Sequence, residues 1–464
     1  MTDIEQVARN AREASTLLQS ITSKQKSLIL SSIHDKLAEN KQAILEANAV
    51  DKANAEQEVA AGKLSVSLFK RLDIEGKDGE KFETMLQGIK DVDSLYDPIG
   101  QVSLSRELDE GLNMYRVTCP VGVCLVIFEA RPEVVVNIAC LAIKSSNAVI
   151  LKGGKEASAT NQKLADLIRE AIDATPTPEG ATTFPANAVQ LVSRREDIDK
   201  LLDQDRYIDL VVPRGSNSLV RYIQGHTRIP VLGHADGICS VYIDEFADVA
   251  KAPHIVVDAK TNYPAACNAA ETLLVNSKVL KTTFTKVAQA LFGANVILHA
   301  DEASYAYLQN ESGLTIPEGK LVKAQEGDFD KEFLDHEIAV RVVDSVSGAI
   351  EHINEHGSKH TDVIITENKD NAELFMRRVD AAGVYWNASS RFADGFRYGF
   401  GTEVGVSTNK THARGPVGLE GLTIYKYRIY GNGQGAGDYG VGKGKRSFTH
   451  KTIPLDEVRN KFVI

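Results

Sequence analysis

Cys267 stands in the stretch NYPAACNAAE, residues 262–271, directly after an Asn-Tyr-Pro turn and among Ala265, Ala266, Ala269 and Ala270. A structural cysteine normally sits among Leu, Ile and Val as a small hydrophobe. A thiolate that attacks a substrate needs access and a backbone that lets the reacting carbon approach. Small residues on both sides give that clearance, so Cys267 is the candidate nucleophile.

Two glycine-bearing turns suit a phosphate-bearing cofactor. AVILKGGKEA closes an apolar run on Lys152 and continues through Gly153, Gly154 and Lys155, while IDLVVPRGSNSLVRYI runs through Pro213 into Gly215 and Ser216. A glycine opening a helix lets backbone N–H groups approach an anion, helped by the helix dipole. Neither turn is G-x-G-x-x-G, so the ordinary dinucleotide fingerprint is absent. GDYGVGKG, residues 437–444, has Gly437, Gly442 and Lys443 at phosphate-loop spacing, but Gly444 replaces the magnesium-binding Ser or Thr, and no strand or helix flanks it.

Two further groupings invite chemistry. HINEHGSKHTD sets His352, His356 and His360 four apart, but Gly357 reads as a helix cap that takes His360 off the shared face, so no metal is expected there. NASSRFADGFRYGFGTEVGVS combines Asn387, Arg391, Arg397 and Glu403 with glycines. Such a loop can hold a carboxylate or phosphate through guanidinium forks, and reads equally well as a polar surface loop.

These residues need elements to hold them. Ile4, Val7, Ala8, Ala11, Ala14, Leu17, Leu18 and Ile21 recur at helical spacing, and residues 4–55 read as helices. From about 117 the pattern becomes strand and helix in alternation. VGVCLVIF, NAVILK, ANAVQLV and IDLVVP read as strands, and PEVVVNIACLAIKSS and KEASATNQKLADLIREAI as helices. That order predicts a parallel sheet buried on both faces. It restarts after 240 with SVYID, ETLLVNS, NVILHA, EIAVRVV, DVIITE and GVYWNA, which implies a second α/β domain. The stretch YGNGQGAGDYGVGKGK, with seven glycines from Gly431 to Gly444, reads as a mobile loop or arm. No internal repeat is apparent.

Composition removes several classes of function. Of the 464 residues 43% are hydrophobic and 25% charged, and the net charge is −10, which argues against broad binding to nucleic acid or to an anionic membrane. The five cysteines (119, 124, 140, 239 and 267) form no C-x-x-C pair, which fits a reducing compartment and no cysteine-based zinc site. MTDIEQVARNAREAS carries Asp3, Glu5 and Glu13 and has no apolar core, unlike a signal or transit peptide. The most apolar region, 117–151, is broken by Glu129, Arg131, Glu133 and Lys144, so it does not read as a membrane span. A cytoplasmic location is expected.

The order LKGGKEA, PRGS, NYPAACNAAE, GTEVGVS resembles the aldehyde dehydrogenase superfamily. More narrowly, EARPEV, HGSKHTD, VYWNASSRFADG and KTHARGPVGLEGLT resemble the gamma-glutamyl phosphate reductase family of proline biosynthesis, over about residues 10 to 430. The resemblance implies an α/β, aldehyde-dehydrogenase-like fold: a Rossmann-type nucleotide-binding domain (1–101 and 119–240), an α/β catalytic domain (241–415), and a small β oligomerisation flap with the tail (102–118 and 416–464). It implies NADPH-dependent reduction of L-glutamyl 5-phosphate to glutamate 5-semialdehyde with release of phosphate, and homo-oligomers. It also implies glutamate 5-kinase, which makes the labile substrate, as a candidate partner.

Residue by residue, the resemblance sets Lys152 on the adenosine ribose, Gly215 and Ser216 near the pyrophosphate, and Glu403 on the nicotinamide ribose. Lys155 stands where NAD-preferring members often have a Glu, and a cation there suits a 2′-phosphate. Arg131, Asn262 and Arg391 are substrate candidates from charge and motif position. Two departures stand out. Hydrolytic members carry a Glu base in a Glu-Leu-Gly-Gly context where this chain reads LGHADGICS, with His234 and Asp236. Ala130 stands where those members have an oxyanion-binding Asn, leaving the backbone N–H of Cys267 as candidate donor. A missing base suits an acyl phosphate, whose leaving group needs no water activation. The rival readings are a CoA-acylating or hydrolytic aldehyde dehydrogenase, and a nucleotide-binding scaffold without catalysis.

Overall fold

The computed structural model describes residues 3–464, which form two compact units. The first runs to Leu232 and takes in Phe400–Gly405 and Val417–Ile464; the second comprises Gly233–Gly399 and Val406–Pro416.

In the first unit four parallel strands lie side by side in the order Val189–Val192, Ala148–Lys152, Val123–Phe128 and Leu210–Arg214. In chain order this is third, second, first, fourth, the arrangement of a mononucleotide-binding half-fold. Every residue of Val123–Phe128 and Ala148–Lys152 is buried, as a sheet covered by helices on both faces requires. Helix Glu133–Lys144 follows the first strand and Ser158–Ala174 the second. The amino-terminal helices are Ile4–Leu18, Ser23–Glu39 and Lys41–Ala60. The first buries Ile4, Ala8, Ala11, Ala14 and Leu18 and leaves Leu17 on the surface.

The first unit also contains a four-stranded antiparallel sheet, ordered Thr423–Tyr430, Leu112–Pro120, Val102–Asp109 and Lys451–Thr452. Its last strand takes in part of the tail beyond the glycine-rich stretch. Lys451 and Thr452 pair with Glu107 and Arg106, the Thr449 N–H donates to the Leu108 carbonyl, and Ser23 donates to Ile464. The glycine-rich stretch is a connection between two strands of one sheet. At the opposite edge, Ile424, Tyr425, Tyr427, Ile429 and Tyr430 are exposed.

The second unit carries seven parallel strands in the order Leu321–Lys323, Ile297–Ala300, Glu337–Val343, Ala270–Asn276, Cys239–Ile243, Thr361–Ile365 and Gly383–Trp386. Two apolar clusters cover its faces, one around Val256, Phe284 and Leu291, the other around Tyr242, Ile350 and Phe375. The six strands expected after 240 all form; the seventh, Leu321–Lys323, is three residues at an edge and has no alternation to read.

The division between units differs from the boundary at 240. The loop 233–238 packs with the second unit because Gly237 lies against the backbone of Cys267. Phe400–Gly405, expected in the catalytic domain, belong to the first unit, where Val404 donates to the Val417 carbonyl and Arg214 to that of Glu403. The antiparallel sheet is likewise part of the first unit.

Candidate functional site

Cys267 lies in a short loop between helix Lys251–Thr261 and strand Ala270–Asn276. Two devices hold the loop. Lys260, at the helix end, and Glu271, in the strand, form a fully buried ion pair of 2.6 Å that ties its two ends together. Gly237 supports it from beside: a Cβ there would fall 2.2 Å from the Cys267 carbonyl oxygen and 2.6 Å from its Cα. Tyr263 takes a positive φ of 66°, which turns the chain after Asn262. Ala269 and Ala270 are buried, so only Ala265 and Ala266 provide the clearance expected of four alanines.

The five thiols divide by burial. Cys124, Cys140 and Cys239 are buried, and burial pushes the first two up to about 12 and the third well above the ordinary thiol value. Cys267 is partly exposed. Burial also raises Cys119, although Lys426 and Arg428 oppose it.

Cys267, His234 and His360 offer ligand atoms that all lie within 4.8 Å of one another. They come from just before three adjacent strands, those beginning at Ala270, Cys239 and Thr361. The amino ends of neighbouring parallel strands thus bring one thiol and two imidazoles together from distant parts of the chain. His234 Nδ1 lies 3.0 Å from the Val406 carbonyl oxygen, an acceptor that places the proton on Nδ1 and a lone pair on Nε2. His360 is 1% exposed; its Nδ1 faces Thr361 Oγ1 at 2.9 Å and its Nε2 has no hydrogen-bond partner. The two rings meet edge to face at 4.9 Å. Glu332 stands by: burial raises its pKa against the pull of His234 and a bond from Gly237.

In the stretch where hydrolytic members have Glu, this chain brings His234 within 4.8 Å of the thiol, and His360 lies within the same distance. In the sequence His360 falls in one row with His352 and His356, which hides its place near Cys267. Those two pair with each other at 4.5 Å between ring centroids, and Gly357 ends their helix, its N–H donating to the Ile353 carbonyl. The usable signal was the strand immediately following His360, whose start fixes where that ring goes.

Of the substrate candidates, Asn262 and Arg391 meet: Arg391 Nε donates to the Asn262 carbonyl oxygen at 2.5 Å. The Asn262 side chain is turned to Asp258. Burial lowers the Arg391 pKa and Arg397 adds to this, while Cys267, Asp394 and Asp258 act the other way, so the guanidinium is in electrostatic reach of the thiol. Asn268, also missed, fastens the arginine loop to the cysteine loop, donating to the Ala393 carbonyl and accepting from Ser390 Oγ through its own carbonyl. Arg131 is in the first unit, after Ala130 at a positive φ of 44°.

The cofactor candidates all lie in the first unit. Lys152 ends its strand buried, with Nζ 2.5 Å from the Gly153 carbonyl, and burial lowers its pKa. Lys155 is exposed and pairs with Glu58 at 2.8 Å. Gly215 and Ser216 open helix Asn217–His226, and the Ser216 N–H donates to Glu129 Oε2 at 3.0 Å. A Cβ on Gly215 would lie 2.5 Å from that same oxygen, so the turn accepts an anionic oxygen only because it is glycine. The turn sits at the carboxyl ends of the first and fourth strands, the switch point where dinucleotides bind in such sheets. Arg214 Nη1 holds the Glu403 carbonyl at 3.0 Å, bringing Glu403 to this end of the sheet. The residues present fit a nicotinamide dinucleotide.

Among the described residues, no helix is long and apolar enough to cross a membrane. The model of the aldehyde dehydrogenase family matches residues 1–304. Gamma-glutamyl phosphate reductase of Saccharomyces cerevisiae is 53% identical over 467 residues, covering 99% of this chain and all of that protein. The probable gamma-glutamyl phosphate reductase of Schizosaccharomyces pombe is 50% identical over 455 residues, 98% of each chain. Among solved structures, gamma-glutamyl phosphate reductase from Thermotoga maritima superposes with a TM-score of 0.85 at 35% identity, over 93% of this chain and 99% of that one. An acetylating aldehyde dehydrogenase from Geobacillus thermoglucosidasius shares the fold at a TM-score of 0.61 and 17% identity, over 93% and 97% of the two chains. By sequence over its whole length and by fold, the chain belongs to the aldehyde dehydrogenase family, within its gamma-glutamyl phosphate reductase branch.

Proposed function

We propose that this chain reduces L-glutamyl 5-phosphate to L-glutamate 5-semialdehyde, the second step of proline biosynthesis, through a thioester on Cys267. The observation that carries this reading is a partly exposed thiol with two imidazoles within 4.8 Å, on a chain whose full-length relatives bear the reductase name.

The Cys267 proton passes to a neighbouring imidazole lone pair, on His234 or His360, and the thiolate attacks the acyl carbon. Phosphate leaves and a thioester remains on Sγ. The backbone N–H of Cys267 is the proposed donor to the developing oxyanion, and Arg391 holds an anionic group of the substrate with Asn262 beside it. When held by the first unit, NADPH would supply the hydride chemistry that reduces the thioester. The resulting hemithioacetal expels Cys267 as thiolate, which recovers the proton held on the imidazole.

The first unit holds the dinucleotide in this reading, with Gly215 and Ser216 at the pyrophosphate and Lys152 and Glu403 at the two riboses. Lys155 meets the 2′-phosphate, exchanging its surface pairing with Glu58. Arg131 keeps a proposed substrate role from charge and motif position. The antiparallel sheet, with its exposed Tyr and Ile edge, serves assembly into homo-oligomers. A cytoplasmic site of action and supply of substrate by glutamate 5-kinase fit the same reading.

Cys267→Ala tests it. Turnover should be abolished while the melting temperature and NADPH affinity stay near wild type, since the change removes one partly exposed atom. A variant keeping a tenth of wild-type kcat would end the covalent reading, because about 1.4 kcal/mol of barrier already accounts for that factor.

A further inference from the structure

We propose that Cys267, His234 and His360 also form a binding site for a soft divalent cation of the Zn2+ class, which closes the nucleophile reversibly. The three donor atoms lie within 4.8 Å of one another. Donors around a tetrahedral zinc, with bonds of about 2.3 Å to sulfur and 2.0–2.1 Å to nitrogen, stand roughly 3.3–3.6 Å apart. The set is therefore at most about 1.2–1.5 Å wider than coordination geometry.

A second observation points to a ligand independently. His360 is 1% exposed and its Nε2 has no hydrogen-bond partner, a buried lone pair or N–H left unanswered on a ring that offers a ligand atom within 4.8 Å of those of Cys267 and His234. The other nitrogens are arranged as metal-binding histidines require. His234 Nδ1 is engaged by the Val406 carbonyl and His360 Nδ1 by Thr361 Oγ1, which fixes both rings and leaves Nε2 to bind. One thiolate and two imidazoles select zinc-like ions over Mg2+ or Ca2+, which take oxygen ligands. Three protein ligands leave the fourth position to water. Glu332, in electrostatic contact with His234, favours a cation here, and Arg391 near the sulfur opposes it. Binding breaks the Cys267 S–H bond, forms a sulfur–metal bond and releases the proton to solvent, with no change of oxidation state.

Loss of turnover on binding rests on Cys267 being the nucleophile; the binding itself does not. CoCl2 added to the full-length protein is the probe, because a thiolate bound to Co2+ gives a near-ultraviolet charge-transfer band and tetrahedral Co2+ gives visible bands. One Co2+ per chain should bind with both signatures, and ZnCl2 should displace it. ZnCl2 should inhibit, EDTA should restore activity, and MgCl2 should do neither. Cys267→Ser should lose the charge-transfer band, and His234→Ala should weaken binding at least tenfold; His234 is less buried than His360, so this variant stands in should His360→Ala fail to fold. No band at millimolar CoCl2, or a band that survives Cys267→Ser, overturns the site. A bound metal with an active Cys267→Ala enzyme would instead remove the nucleophile reading and leave the metal site standing.

Discussion

Gly237→Ala should disable the enzyme without touching a reacting atom. The added methyl would lie 2.2 Å from the Cys267 carbonyl oxygen and 2.6 Å from its Cα, both backbone atoms with no flexible end to yield. Restoring an ordinary contact of 3.4 Å from the oxygen requires about 1.2 Å of movement. The loop cannot share that movement freely, because the buried Lys260–Glu271 pair anchors both its ends. A displacement of about 1 Å at a reacting group costs on the order of a hundredfold in rate, or roughly 2.7 kcal/mol of barrier. The crowding itself should lower stability by about 1–3 kcal/mol. The assay is kcat with saturating NADPH and substrate, beside a thermal melt and the rate of Cys267 alkylation. Gly225→Ala is the control: nothing lies within 4 Å of its Cβ position in helix Asn217–His226, so it should keep full kcat and gain about 0.5–1 kcal/mol. A Gly237→Ala enzyme with kcat within threefold of wild type and an unchanged melt would refute the idea that this contact positions the nucleophile.

Lys155→Glu sets a carboxylate beside Glu58 where a cation stood, so the ratio of kcat/KM for NADPH to that for NADH should fall at least tenfold; an unchanged ratio would remove Lys155 from the cofactor site. Asp362 is buried, with Oδ1 accepting from the Ser240 N–H and Oδ2 unpartnered, and burial pushes its pKa up to about 7. Its folded pKa lies above its unfolded one, so the native state binds the extra proton. The associated stability is fully present below about pH 4 and is lost as pH rises through 7. Asp362→Asn cannot ionise, so its melting temperature should gain on wild type between pH 5 and pH 8; a gap constant across that range would contradict the assignment.

Much of this molecule is legible in the chain because parallel strands buried on both faces are written as short unbroken apolar runs. VCLVIF and AVILK could be placed for that reason, and so could the glycine turns that follow two of the strands. Its small neighbours mark Cys267 in the chain as a candidate nucleophile. Its imidazole neighbours are not legible there, because they arrive from two other strand starts that only the sheet order brings beside its own. His360 read as the third member of a helical row, although the cap at Gly357 already removed it. The edge strand after the glycine-rich stretch is not legible, because its two residues, Lys451 and Thr452, carry no pattern of their own. Phe400–Gly405 join the first unit through their own backbone groups, the Val404 N–H on the Val417 carbonyl and the Glu403 carbonyl under the Arg214 guanidinium, which leave no trace in the side-chain types of 400–405.

The central claim is that the acyl group passes between Cys267 and phosphate and is not released to water. His234 and His360 beside the thiol make this a sharper question than an empty site would, since an imidazole that accepts the thiol proton could also activate water. The direct measurement is the reverse reaction, with glutamate 5-semialdehyde and NADP in the presence and absence of inorganic phosphate. The account predicts steady NADPH formation with phosphate and, without it, no more than one equivalent per active site. Sustained NADPH formation in phosphate-free buffer, with glutamate accumulating as product, would contradict it.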